Sequence, residues 1–181
     1  EIIKLSPLIQ IFKKKKINFF IINTNQHYNN IMSRVFFDFF GLPKPKYNIK
    51  ANSQRYGNFF SKALNEIEKI LLKEKPNKLI VQGDTNTALA GCLGASIFNR
   101  KFLSENLKVK IIHIESGLRS FDNNMPEEIN RKLIDQLSDI LFVPTAFDMN
   151  NLKKESLIRG KKIYKVGNTI SDVIKKYRPY L

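Results

Sequence analysis

The chain has 181 residues, 43% of them hydrophobic, which suits one domain large enough for its own core. No apolar run approaches the ~20 residues of a membrane span. No signal peptide is visible, and the single cysteine, Cys92, supports no disulfide framework, so a reducing, cytoplasmic setting is expected. The net charge of +15 invites a nucleic-acid reading, but 24 lysines against 7 arginines look like a bias spread over solvated faces. Phosphate readers favour the forked guanidinium.

In chain order, helical periodicity runs over residues 2–15 and closes in Lys13 to Lys16, where cations suit the helix dipole. A β-branched run follows at 17–23, then a helix at 29–40 and a loop marked by Pro43 and Pro45. The aromatics Phe36, Phe37, Phe39 and Phe40 stand at helical spacing and read as core. Beyond them the pattern predicts a helix at 57–73, a strand at 79–82, a helix at 86–102 and a strand at 109–114. A helix at 127–137, a strand at 140–143, a helix at 146–154, a strand at 163–166 and a helix at 170–177 complete the order. Strands alternating with helices predict an α/β fold: a doubly wound parallel sheet with helices on both faces. Both ends look cut. The first helix begins with no strand or tight turn to feed it, so the absence of a G-x-G-x-x-G loop is uninformative.

In an open parallel sheet, ligands bind beyond the carboxyl ends of the strands. Three stations follow predicted strands: Thr24-Asn25-Gln26-His27, Gly83-Asp84-Thr85, and Glu115-Ser116-Gly117-Leu118-Arg119. Pro126-Glu127-Glu128 can return to the same rim. Each has a plain structural account. Asp84 or Thr85 can cap the following helix. Glu127 and Glu128 suit a helix N-terminus. His27 can be a polar loop residue, and Arg119 and Arg131 can simply neutralise carboxylates. Function is favoured by convergence of Asp84, Glu115 and Glu127 beside His27, Arg119 and Arg131. Clustered carboxylates raise one another's pKa toward the range useful for proton transfer, and basic neighbours receive an anionic substrate.

The segments V-Q-G-D-T-N-T (81–87), H-I-E-S-G-L-R-S (113–120), M-P-E-E-I-N-R (125–131), N-Q-H-Y (25–28) and V-G-N-T-I-S-D (166–172) occur in this order. Together they resemble the non-hydrolysing UDP-N-acetylglucosamine 2-epimerases. The opening E-I-I-K-L-S-P-L looks like the tail of that family's G-T-R-P-E-x-x-K segment. The resemblance implies one Rossmann-like half of a glycosyltransferase-B-type two-domain fold. Residues 1–169 would be the N-terminal domain without its first strand, 170–181 the start of an interdomain helix, and the C-terminal domain absent. It implies inversion at C2 of UDP-N-acetylglucosamine by anti elimination of UDP and re-addition, with Asp84, Glu115 and Glu127 catalytic. Lys4, Gln26, His27, Arg119 and Arg131 would bind substrate. No metal or other cofactor is implied, since elimination replaces oxidation, and the full-length protein is expected to be a cytoplasmic homodimer without nucleic-acid or membrane partners. The fragment alone is expected to be inactive, because half the cleft, with most UDP contacts and a further histidine, lies in the other domain. Ser116 stands where alanine is commoner, and residues 98–110 form a longer connection than usual, expected as a surface bulge. Other readings are a 2-epimerase of a UDP-2,3-diacetamido uronic acid, a hydrolysing epimerase (whose opening motif departs from this one), a non-catalytic UDP-sugar-binding domain and a basic nucleic-acid-binding module.

Overall fold

Alternating apolar runs and amphipathic stretches fold into two parallel sheets with helices packed against them. The computed structural model describes residues 1–24, 30–51, 53, 55–102 and 107–178, with 30–34 as backbone. Helix α1 (Ile2–Lys14) leads to β1 (Ile22–Asn23), α2 (Asn30–Phe39) and β2 (Tyr47–Asn48), and β1 and β2 pair in parallel. Then come α3 (Tyr56–Glu74), β3 (Lys78–Gln82), α4 (Asn86–Lys101) and β4 (Lys110–Ile114). The chain continues through α5 (Pro126–Leu137), β5 (Ile140–Val143), α6 (Ala146–Lys154), β6 (Lys162–Lys165) and α7 (Ile170–Tyr177). The second sheet has the order β3-β4-β5-β6, parallel throughout, with Val81 opposite His113 and His113 opposite Leu141.

Two expectations need correction. The strand expected at 17–23 is reduced to Ile22–Asn23. Its alternation nevertheless survives in packing: Phe19 and Ile21 face the cluster formed with α1, α2 and α7, while Phe20 and Ile22 face the main core. The periodicity was real, but the ladder is short because its partner β2 is a two-residue strand just beyond Pro45, which carries no strand pattern of its own. Among the aromatics, Phe37 and Phe40 are buried as expected, but Phe39 is 60% exposed, resting against Phe40 and Tyr177. The expected bulge at 98–110 lies partly outside the described residues.

The main core joins α3 and α4 to β3 and β4 through Phe59, Ile67, Leu71, Phe98 and Ile111. The buried face of α4 is built largely from Ala88, Ala90, Cys92 and Ala95, small side chains that let this helix lie close to its neighbours. Burial pushes the Cys92 thiol up to about 12, so it behaves as a small apolar residue rather than a nucleophile. Helix α1 contains Pro7, which cannot donate to the Ile3 carbonyl, and the Ser6 hydroxyl donates to that carbonyl instead at 2.8 Å. The C-terminus of α5 is closed by Lys161, whose ammonium donates to the carbonyls of Asp135, Gln136 and Ser138 at 3.0, 2.7 and 2.7 Å. No helix among the described residues is long and apolar enough to cross a membrane.

Candidate active site

The carboxyl ends of β3 and β4 open into a cavity of about 120 Å³ lined by Lys4, Gly83, Asp84, Glu115 and Arg131, with Glu1 and Leu118. Four elements deliver the charged groups. Asp84 follows β3, Glu115 follows β4, and Arg131 reaches in from the second turn of α5. Lys4 comes from the first turn of α1. A larger groove of about 390 Å³ lies between α1 and α7 around Pro7, Gln10, Val173 and Tyr177, and holds none of the expected site residues.

Asp84 is released from helix capping, because Thr85 does that work: its hydroxyl accepts from the Ala88 amide at 3.3 Å. The Asp84 carboxylate instead pairs with the Arg131 guanidinium. Its backbone carbonyl accepts from Asn130 at 2.8 Å, so two residues of α5 hold both ends of Asp84.

Glu115 is 8% exposed and adopts a φ of +71°, a conformation costly for a side chain with a Cβ and typical of residues held at functional sites. Lys4 donates to both its oxygens, at 2.7 and 2.8 Å. Asn168 donates to Oε1 at 3.0 Å, and Gln82 donates to Oε2. Donors from α1, β3 and the turn before α7 thus fix the carboxylate in one orientation. Neither Gln82 nor Asn168 was singled out from sequence. Both sit inside the motifs, and a polar residue closing an apolar strand was the available signal for Gln82.

Arg119 is not brought to this cavity. Its guanidinium is inaccessible to solvent and forks onto Glu155, Nε to Oε1 at 2.8 Å and Nη2 to Oε2 at 2.6 Å. A third contact joins Nη1 to Asp135 Oδ2 at 2.9 Å. Burial works against the charge, but Glu155 and Asp135 outweigh it and raise its pKa. Gly117 turns the chain after Glu115, and the Arg119 side chain two residues on points back into the protein. Gly117 itself has a φ of +80°, and a Cβ there would collide with the Asp148 carbonyl.

Glu127 is exposed on the opening turn of α5, outside the cavity lining, one helical turn from Arg131 and therefore on the same helix face. Its neighbour Glu128 is the buried one. Burial raises the pKa of Glu128, but the Ser120 amide and hydroxyl, with Arg131 and Lys132, outweigh it and hold the carboxyl below the usual range. Gln26 and His27 lie outside the described residues. Among the described residues, no group of histidine, cysteine or carboxylate side chains is arranged to hold a metal.

The family model described as UDP-N-acetylglucosamine 2-epimerase matches residues 10–181. The chain is 53% identical over 172 residues to the UDP-N-acetylglucosamine 2-epimerase of Methanocaldococcus jannaschii, covering 95% of this chain and 44% of that protein. It is 45% identical over 163 residues to the UDP-2,3-diacetamido-2,3-dideoxy-D-glucuronate 2-epimerase of Pseudomonas aeruginosa, covering 90% of this chain and 44% of that protein. The crystal structure of the M. jannaschii UDP-GlcNAc 2-epimerase in complex with UDP-GlcNAc and UDP superposes with a TM-score of 0.89 at 50% identity, covering 99% of this chain and 47% of that one. The chain thus spans somewhat less than half the length of these relatives. With parallel sheets and flanking helices matching one half of such an enzyme, and with the motif carboxylates at its strand ends, the chain belongs to the UDP-N-acetylglucosamine 2-epimerase family.

Proposed function

We propose that this chain forms the N-terminal, sugar-facing half of an enzyme that inverts C2 of UDP-N-acetylglucosamine to give UDP-N-acetylmannosamine. The observation that carries the reading is the meeting of Asp84 and Glu115, each with its own cation, in one cavity at the strand ends. The C2 proton is not acidic, so its removal needs a placed base together with stabilisation of the departing group. A base takes the C2 proton as the C1–oxygen bond to UDP breaks, leaving a glycal. An acid on the opposite face then returns a proton to C2 while the UDP oxygen re-forms the bond to C1. Atoms and electrons balance without an oxidant, so no cofactor is invoked.

Asp84, Glu115 and Glu127 are the acid/base groups in this reading. Lys4 and Arg131 meet anionic parts of the substrate and orient the carboxylates. Gln26 and His27 bind the substrate, while Arg119 supports the fold behind Glu115. Residues 1–169 act as the domain, and 170–181 start the connection to a second domain that supplies most UDP contacts. The complete enzyme works as a cytoplasmic homodimer, and the 181-residue chain alone is inactive because the reacting sugar stays wet.

The test pairs this chain with the C-terminal half of the M. jannaschii relative and follows UDP-N-acetylglucosamine in D₂O. Product carrying deuterium at C2 is expected. Asp84→Asn, Glu115→Gln and Glu127→Gln should each lower kcat by roughly 10²–10⁴-fold, with smaller effects on KM. Turnover by the 181-residue chain alone, or product without C2 deuterium, would overturn the reading. The similarity to the P. aeruginosa enzyme favours one alternative substrate, a UDP-2,3-diacetamido uronic acid, and a side-by-side rate comparison of the two sugars decides between them.

A further inference from the structure

Behind the cavity lies a buried polar network that the proposed chemistry leaves unused. His113, the penultimate residue of β4, is inaccessible to solvent, as is Asp135 on α5. His113 Nε2 is 2.9 Å from the Gly83 carbonyl, and Nδ1 is 2.7 Å from Asp135 Oδ1. A carbonyl oxygen can only accept, so Nε2 must carry the proton of that hydrogen bond. The other Asp135 oxygen accepts from the Gly117 amide at 3.1 Å and from Arg119 at 2.9 Å.

These contacts join two loops. The Gly83 amide donates to the Ile114 carbonyl at 3.1 Å, so both backbone polar groups of Gly83 are held by β4, at a φ of +71°. In a trans peptide the N–H of the next residue points opposite to the carbonyl. With the Gly83 carbonyl held by His113, the Asp84 amide is turned away from His113. The same Asp135 carboxylate reaches the loop of Glu115 through the amide of Gly117, two residues on.

We infer that His113 and Asp135 are positioning residues, setting the separation of Asp84 and Glu115 from beneath the site. His113 holds the turn bearing Asp84, Asp135 holds both His113 and the loop bearing Glu115, and neither touches the cavity. The inference rests on the reading of Asp84 and Glu115 as the reacting carboxylates. It differs from a packing role because it requires a donor at Nε2, and a side chain of similar volume does not replace a donor.

The experiment compares His113→Gln, whose amide nitrogen can replace Nε2, with His113→Asn, whose shorter amide reaches only toward Asp135. On the 181-residue chain, nuclear magnetic resonance should show a wild-type His113 Nε2 proton protected from solvent exchange. The Gly83 and Asp84 amide signals should move further in His113→Asn than in His113→Gln. In the assembly with the C-terminal half of the M. jannaschii enzyme, His113→Asn should lower kcat by about 10²-fold with KM unchanged, the scale of a displacement near 1 Å. His113→Gln should recover most of that loss. Equal losses in both variants, or a change in KM alone, would overturn the inference. If neither variant folds, the wild-type spectrum decides, since an unprotected or missing Nε2 proton refutes it without any mutation. An assembly that is inert even with His113 present counts against the proposed reaction, and the amide and ring signals then judge the positioning separately.

Discussion

Removing Arg119 separates a structural role from a substrate contact. In Arg119→Met the aliphatic stem is kept and the guanidinium is lost. Among the described residues Asp135, inaccessible to solvent, then keeps His113 and the Gly117 amide as side-chain partners, while Glu155, 29% exposed, can turn to water. Breaking a buried pair by deleting one member costs about 3–5 kcal/mol, and the loss of the more exposed Glu155 pair adds no more than ~1 kcal/mol. In a domain of this size each kcal/mol lowers Tm by roughly 2–4 °C, so a fall of roughly 6–24 °C is expected in circular-dichroism melting. Arg119→Lys keeps the charge but not the fork, and should fall between the two. Asp135→Asn placed in the Arg119→Met background removes the uncompensated charge, so the double variant should be more stable than the two separate losses sum to. Binding of UDP-N-acetylglucosamine by the assembly with the C-terminal half of the M. jannaschii relative, followed below the melting transition of each variant, should be nearly unchanged. A Tm within about 2 °C of wild type, together with markedly weakened sugar-nucleotide binding, would refute this reasoning and return Arg119 to the substrate site.

Glu128 predicts part of the acid sensitivity. Its folded pKa lies below the ordinary glutamate value, so its stabilising contribution is fully present above about pH 4.3 and is lost as pH falls through the folded value. Urea titrations at stepwise lower pH should therefore show Glu128→Gln least stable relative to wild type near neutrality, with the gap narrowing in acid; a gap that widens in acid contradicts the assignment. Gly117→Ala meets both an unfavourable φ and the Asp148 carbonyl, so it should cost more than the ~1–3 kcal/mol of backbone strain alone, and a Tm unchanged from wild type would show that the loop relaxes freely.

Strands β3 to β6 and the helices between them were legible because each element carries its own periodicity. Local pattern also placed Asp84 and Glu115 at strand ends, and parallel pairing brings such ends to one side of a sheet. The short pairing of β1 with β2 was not legible, because Tyr47–Asn48 owes its strand character to Ile22–Asn23 rather than to any run of its own. Thr85, not Asp84, turned out to cap α4, a choice between adjacent residues that composition leaves open.

What the sequence alone determined is the order of elements and the motif residues that sit at their ends, since both depend on neighbours along the chain. Tertiary structure decided which charge meets which. Glu115 is met by Lys4, 111 residues away, and Arg119 by Glu155, 36 residues away, rather than by each other. His113, in a strand otherwise read as apolar, became the link between Gly83 and Asp135. The reason is that a buried charge or polar group must find its partner wherever the packed backbone places one, and that partner is set by distance in space rather than by separation in sequence.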